Sequence, residues 1–406
     1  MRNLAKRLLD GTSVAIALSA AANAQAQSAG VENVQNQQGG VFAEQTLDVV
    51  DPDGGVAAVS AATANGLTVN AEVGDVSLRS SQVSNGTVTG EARVKVHGWT
   101  PSTVVSATAV GNAGDAVAHE GSLEAGVRQS VGYVGPVWAG AYVAATPSTT
   151  VDTSASATAI GNTHGFYAGH TAGIAVVQKN HSQTEAGVFA DIPHVDGQAD
   201  LAATALANSV STHGGAAAVE VWQDRDAGKT GAYIQADVRN GQTVNASTRA
   251  TANSLSAVHD APYLSVLADQ RNDTQVQAAT VISLGQFGAV NAVAEGVGNS
   301  IPAGAYGEEV NLDTTQFNGG SIEAVADFTG GEGYDANLSA TAIGNAVAGF
   351  ACSNCDATLD ARNNQANHGD VSAVSKAWVH GGSRTVHSNA TAIGNNAAYH
   401  VSRPGH

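Results

Sequence analysis

Side chains able to do chemistry are plentiful in this chain but poorly arranged for it. Thirteen histidines are scattered over 406 residues. The densest group, His380, His387, His400 and His406, is irregularly spaced and reads as solvated loop histidines rather than a metal site. Two cysteines, Cys352 and Cys355, share the stretch "FACSNCDA". A redox couple would ask for a thioredoxin-like βαβ setting, which is absent around them. A metal site would need two more ligands, and only His368 and Asp356 stand near, at generic spacing. In an exported chain a local disulfide closing a loop is the favoured reading. The 35 acids leave open a pair of carboxylates at glycosidase separation. No GxSxG elbow, HExxH, phosphate loop or dinucleotide fingerprint is present, and the calcium-binding nonapeptide of RTX proteins is missing. The expectation is therefore no catalytic residue, no cofactor and no metal. Of the four tryptophans, Trp138 and Trp378 follow Gln/Asn-rich phrases, where they fill a corner or line a partial stripe for sugar rings.

The elements that would position these groups repeat. "SATAIGN" occurs at Ser156–Asn162 and again at Ser339–Asn345. Variants end at every other member of a series of asparagines: Asn65, Asn112, Asn162, Asn208, Asn253, Asn299, Asn345 and Asn395. Successive members are 45 to 50 residues apart, an evenness that alanine-rich composition alone does not produce. A looser Gln/Asn phrase lies between them, as in "VQNQQGGVFA", "VVQKNHSQTEAGVFA" and "LDTTQFNGGSIEAVA". A "DPDGG" turn at Asp51–Gly55 decorates one loop.

Within the seven-residue phrase, the fourth and sixth columns hold only alanine or glycine. The third, of opposite parity, admits Arg249 and Glu295. Strand side chains alternate between faces, so columns four and six should look into a narrow interior and column three toward water. The final asparagine suits either a left-handed turn or a stacked amide ladder. Helical solenoids instead bury large residues at i, i+3 and i+4. The fold expected is all-β: a repetitive parallel β-solenoid of about eight units of ~46 residues, each supplying two rungs, one per phrase. Sixteen rungs at roughly 4.8 Å would make a rod on the order of 75 Å long. Stacked Asn and Gln would bond along its axis, as in amyloid.

The chain opens with Arg2, Lys6 and Arg7, an apolar run "LLDGTSVAIALSAA" and the small-residue sites "ANA" and "AQA". That is the order of a secretory signal peptide over residues 1–26. Residues 27–406 read as one solenoid domain. Removing three basic residues and one acid takes the net charge from −18 to −20. So acidic a chain has no charge basis for binding nucleic acid or an anionic membrane surface. No later run reaches the length of an apolar membrane span. The closing "AAYHVSRPGH" lacks the alternating, aromatic-ended strand of an outer-membrane barrel. Retention on a cell would then need another molecule.

The signal sequence, the acidic chain and the spaced "SATAIGN" and Gln/Asn phrases resemble the HfaD family of holdfast anchor proteins from stalked alphaproteobacteria, over essentially the whole length. The resemblance implies a non-enzymatic anchor that attaches an adhesive extracellular polysaccharide to the outer membrane at the cell pole. It also implies a curlin-like companion protein and an outer-membrane export lipoprotein as partners. Two other roles stay open on the residues themselves. One is a secreted β-helix polysaccharide lyase or hydrolase; the other is an amyloid-like, self-assembling fibre subunit.

Overall fold

The computed structural model describes residues 28–145, 149–352 and 357–402. The signal-peptide stretch, Cys355 and His406 fall outside them, as does the pairing of Cys355 with Cys352. Every regular element described is a strand, so among the described residues no helix is long and apolar enough to cross a membrane.

Coil 1 consists of β1 (Ser28–Gln37), β2 (Val41–Val50) and β3 (Val56–Val73). Coil 2 repeats it as β4 (Asp75–Ser84), β5 (Val88–His97) and β6 (Thr100–Glu120). Coil 3 begins with β7 (Leu123–Val131) and β8 (Val137–Ala145) and then enters β9 (Thr149–Asn180), which runs on through the turn into coil 4. Pairing is parallel throughout, and each strand pairs with its own counterpart one unit later: Gln35 with Gln82, Val41 with Val88, Ala62 with Ala109. Both phrases thus lie on the same coil, which corrects the expectation of two rungs per unit. The register advances a whole repeat at each step because the Gln/Asn phrase and the small-residue phrase form opposite layers of one flattened turn. Eight coils separated by seven steps of about 4.8 Å give a stack on the order of 35 Å, about half the expected length.

Each coil folds back on itself at the "DPDGG" position. There Asp51, at φ 46°, is the only non-glycine residue with positive φ among those described. One coil later Gly98 occupies that turn at φ 99°, where an added Cβ would stand 1.9 Å from the Asp51 carboxylate. The second segment of a coil faces the first leg of the third segment, and together they bury Val88, Ala92, Val94, Val105, Ala107 and Ala109. The first segment faces the second leg, burying Val76, Leu78, Ala116 and Ala118. Two slim apolar cores therefore run the length of the stack, one on each side of a polar waist.

The fourth column lies in the first core: Ala62, Ala109, Ala159, Ala205, Ala250 and Ala342 have 2 % exposure or less. Column three faces out, and Arg249 there reaches Glu295 of the next coil at 3.8 Å. Alternation fails at columns five to seven, where Val110, Gly111 and Asn112 are buried in succession. The third segment bends here, and the strand register omits the sixth column, running from Thr63–Val110 directly to Asn65–Asn112. Space is tightest where this column holds glycine: an added Cβ at Gly111 would lie 2.6 Å from the Gly161 carbonyl oxygen.

Candidate functional site: amide ladders and an outer aromatic face

The eight asparagines stack in one column at this bend. Asn65 Nδ2 donates to Asn112 Oδ1 at 2.7 Å, and Asn112 donates to Asn162 at 2.7 Å. The series continues through Asn208, Asn253, Asn299 and Asn345 to Asn395, with no link longer than 2.9 Å. The second N–H of each donating amide crosses the waist to a backbone carbonyl of the opposite layer, such as Val83, Ser130 or Lys179. Since Asp51 alone among the described non-glycine residues has positive φ, the asparagines serve side-chain stacking and not a left-handed turn.

A matching column of glutamines stands across the waist: Gln35, Gln82, Gln129, Gln178, Gln223, Gln270, Gln316 and Gln365. Gln82 Nε2 donates to Gln35 Oε1 at 2.7 Å, and every later glutamine donates to its predecessor at 2.7–2.9 Å. Each also bonds the carbonyl just after its coil's asparagine, for example Gly66, Ala113 and Thr163. The two ladders have opposite polarity: asparagine donors point toward the C-terminal coil and glutamine donors toward the N-terminal coil. Their amide dipoles oppose one another, so the waist carries no net dipole along the axis. The amide content of the second phrase predicts stacked glutamines, and the structure shows which of its residues form the column, recurring at 45 to 49 residues.

A third, shorter column stands where the first segment turns into the second. Asn272 donates to Asn318, and Asn318 to Asn367, both at 2.7 Å. Arg225 takes this position in coil 5, fully buried, and donates to the Asn180 carbonyl at 2.9 Å. Burial lowers its guanidinium to about 9, and one of its terminal nitrogens, Nη2, has no hydrogen-bond partner.

One aromatic cluster lies on the outer surface of the second segments. Arg93 of coil 2 lies 3.9 Å over the Tyr142 ring of coil 3, and Phe189 of coil 4 stacks against that ring at 5.0 Å and 13°. Trp138 donates from Nε1 to Glu91 at 3.1 Å. Glycines make room: an added Cβ at Gly140 would meet Tyr142 at 2.8 Å, and one at Gly187 would meet Phe189 at 2.7 Å. Burial pushes the Tyr142 phenol up, and the Glu91 charge adds to that shift. Trp378 also faces outward, in coil 8, bonded to His380 at 3.2 Å. Following the register places it in the column of Ala144 and Asp191, away from the Trp138 column. The two tryptophans therefore neither fill a corner nor share a stripe. His380, His387 and His400 are spread over coil 8, and among the described residues no group of three or more His, Cys, Asp or Glu could hold a metal ion.

The family model described as holdfast attachment protein D matches residues 50–322, which run from the end of β2 in coil 1 to the start of the second segment of coil 7. That covers more than half of the chain. The chain belongs to the holdfast attachment protein D family. No curated protein and no solved structure matches it. Membership assigns a role in holdfast attachment, and with it a cell-surface setting. The matched segment contains six of the eight ladder asparagines, linked to one another from Asn65 to Asn299, so most of this chain's amide waist lies within the matched region.

Proposed function

We propose that this chain is a non-enzymatic anchor, exported across the inner membrane, that holds an adhesive polysaccharide holdfast to the outer membrane at the cell pole. Supporting the reading is one observation above others: two unbroken amide ladders lock all eight coils into one body. An anchor must transmit force between a surface and a polymer. Here every coil is bonded to the next along nearly its whole circumference, so load applied to one face is shared by many backbone bonds. The partners proposed are the polysaccharide itself, a curlin-like companion protein and an outer-membrane export lipoprotein that retains the chain on the cell. Cells lacking the chain should shed their holdfast under flow. Restoring it should restore retention, whereas a ladder-broken Asn208→Ala form should restore less. Retention by cells without the chain would end the reading. Release of reducing sugars from the polysaccharide by the purified chain would favour a lyase or hydrolase instead.

Ladder polarity favours a second reading, a self-assembling subunit. A second copy stacked head to tail would continue both ladders donor to acceptor, while head-to-head stacking would oppose like groups. Sedimentation of concentrated protein tests this: Thioflavin-positive, detergent-resistant polymer supports it, and a persistent monomer refutes it.

A further inference from the structure

We infer that the groove on the outer face of the second segments, across coils 1 to 5, is a binding site for a linear, uncharged glycan. This deepens the anchor reading and rests on it. The groove encloses about 630 Å³ and takes its lining from five successive coils, from Thr46 to Asp237. Four coil steps of about 4.8 Å make it roughly 19 Å long, running parallel to the solenoid axis. A trough of that direction and length fits a chain molecule better than a compact metabolite.

One wall is the stack of Arg93, Tyr142 and Phe189, continued in the column by Gln235. The adjoining column carries Asp191 and Asp237, while Ala144 between them and Lys95 leaves the floor low. Two aromatic rings, flanked in their column by Arg93 and Gln235, beside a column carrying carboxylates match the two surfaces of a sugar polymer. Its C–H patches pack on rings, and its hydroxyls donate to charged acceptors, the stronger kind of hydrogen bond. A peptide strand gains most of its affinity on a sheet by adding main-chain bonds at a free edge. These segments already pair with a coil on either side, from β5 through β8 to β10 (Thr184–Arg225) and β11 (Lys229–His259). The lining sets Asp48, Asp191 and Asp237 against Arg93 and Lys95, and Arg93 is already paired with Glu91 at 2.6 Å, so with the net charge of −18 the groove disfavours a polyanion. The polar rim does not suit lipid chains.

The test uses the full chain and protease-treated polysaccharide released from cells and immobilised, with a β-1,4-glucose hexasaccharide as competitor. The wild-type chain should be captured and displaced by the hexasaccharide. Both Phe189→Ala and the double variant Asp191→Asn/Asp237→Asn should bind about tenfold more weakly, equivalent to about 1.4 kcal/mol. The aspartate variant should keep the wild-type unfolding midpoint, since both carboxylates are solvent-facing. Thr158→Ala, on the opposite outer face, should bind as wild type. Groove variants that bind as tightly as wild type would overturn the groove while leaving the anchor intact. Failure of the wild-type chain to bind the polysaccharide either before or after protease treatment would overturn both. Capture that disappears once the polysaccharide is protease-treated would assign the face to a protein ligand and overturn the inference.

Discussion

Replacing Asn208 by alanine should destabilise the chain far more than replacing Asn245, although both amides stack on neighbours one coil away. Asn208 donates to Asn253 Oδ1 at 2.9 Å and to the Asp224 carbonyl at 3.1 Å, and accepts from Asn162 at 2.8 Å. All of this happens with no solvent exposure. Alanine would remove three bonds worth about 1 kcal/mol each and leave an orphaned donor and two orphaned acceptors in a dry waist, for a total of about 3–5 kcal/mol. Asn245 donates to Asp200 at 2.9 Å and accepts from Asn291 at 2.7 Å, but on the outer face, where water replaces a lost partner. Asn245→Ala should therefore cost no more than about 0.5 kcal/mol. Urea unfolding followed by far-ultraviolet circular dichroism measures both. A repeat array need not unfold as one unit, so the first transition is compared between variants and its slope checked for a change in cooperativity. Equal losses in the two variants, or a loss below about 1 kcal/mol for Asn208→Ala, would refute the claim that buried amide stacking holds the coils together.

Removing residues 209–253, one full 45-residue step between stacked asparagines, should leave a shorter chain that folds in register. Deleting only residues 231–253 should abolish folding, and a well-folded half-unit deletion would contradict one coil per repeat. The imidazole of His164 is fully buried and stacks on Phe166 at 4.2 Å. Burial holds it down to about 4 from 6.5. The unfolded chain takes the proton first, so stability is complete above about pH 6.5 and declines as pH falls toward about 4, by roughly 3 kcal/mol. His164→Gln should remove that component, and equal acid sensitivity in the two proteins would refute it. Gly161→Val would put a Cβ 2.0 Å from Asn180 Nδ2 and 2.5 Å from the Ala207 carbonyl oxygen. It should lower stability by about 3 kcal/mol by overpacking the bend, and a wild-type melting temperature would show that the bend yields.

The parts of this molecule legible in its sequence are those that parallel stacking repeats. When each residue sits over its equivalent one coil away, any constraint at one level recurs at the next. Columns confined to alanine and glycine, the outward parity of Arg249 and Glu295, and the single column of asparagines are all such constraints. Strand, parallel order and approximate unit length follow from them without coordinates. The glutamine column was equally periodic but sat among residues that vary freely, so it did not stand out from its phrase.

What repetition leaves undetermined is how one unit closes. Whether its two phrases stack on each other or lie opposite depends on the turns at Asp51 and at the column-six bend, and turn angles are three-dimensional facts. The tertiary structure decided for opposition, and that halved the rod and set glutamine against asparagine across the waist. It also chose which outward residues become neighbours. Arg93, Tyr142, Phe189 and Gln235 lie 46 to 49 residues apart in the chain, have no common residue type, and meet only because successive coils bring them into one column. Identical residues announce a ladder in advance, whereas a site assembled from unlike residues exists only once the register is known.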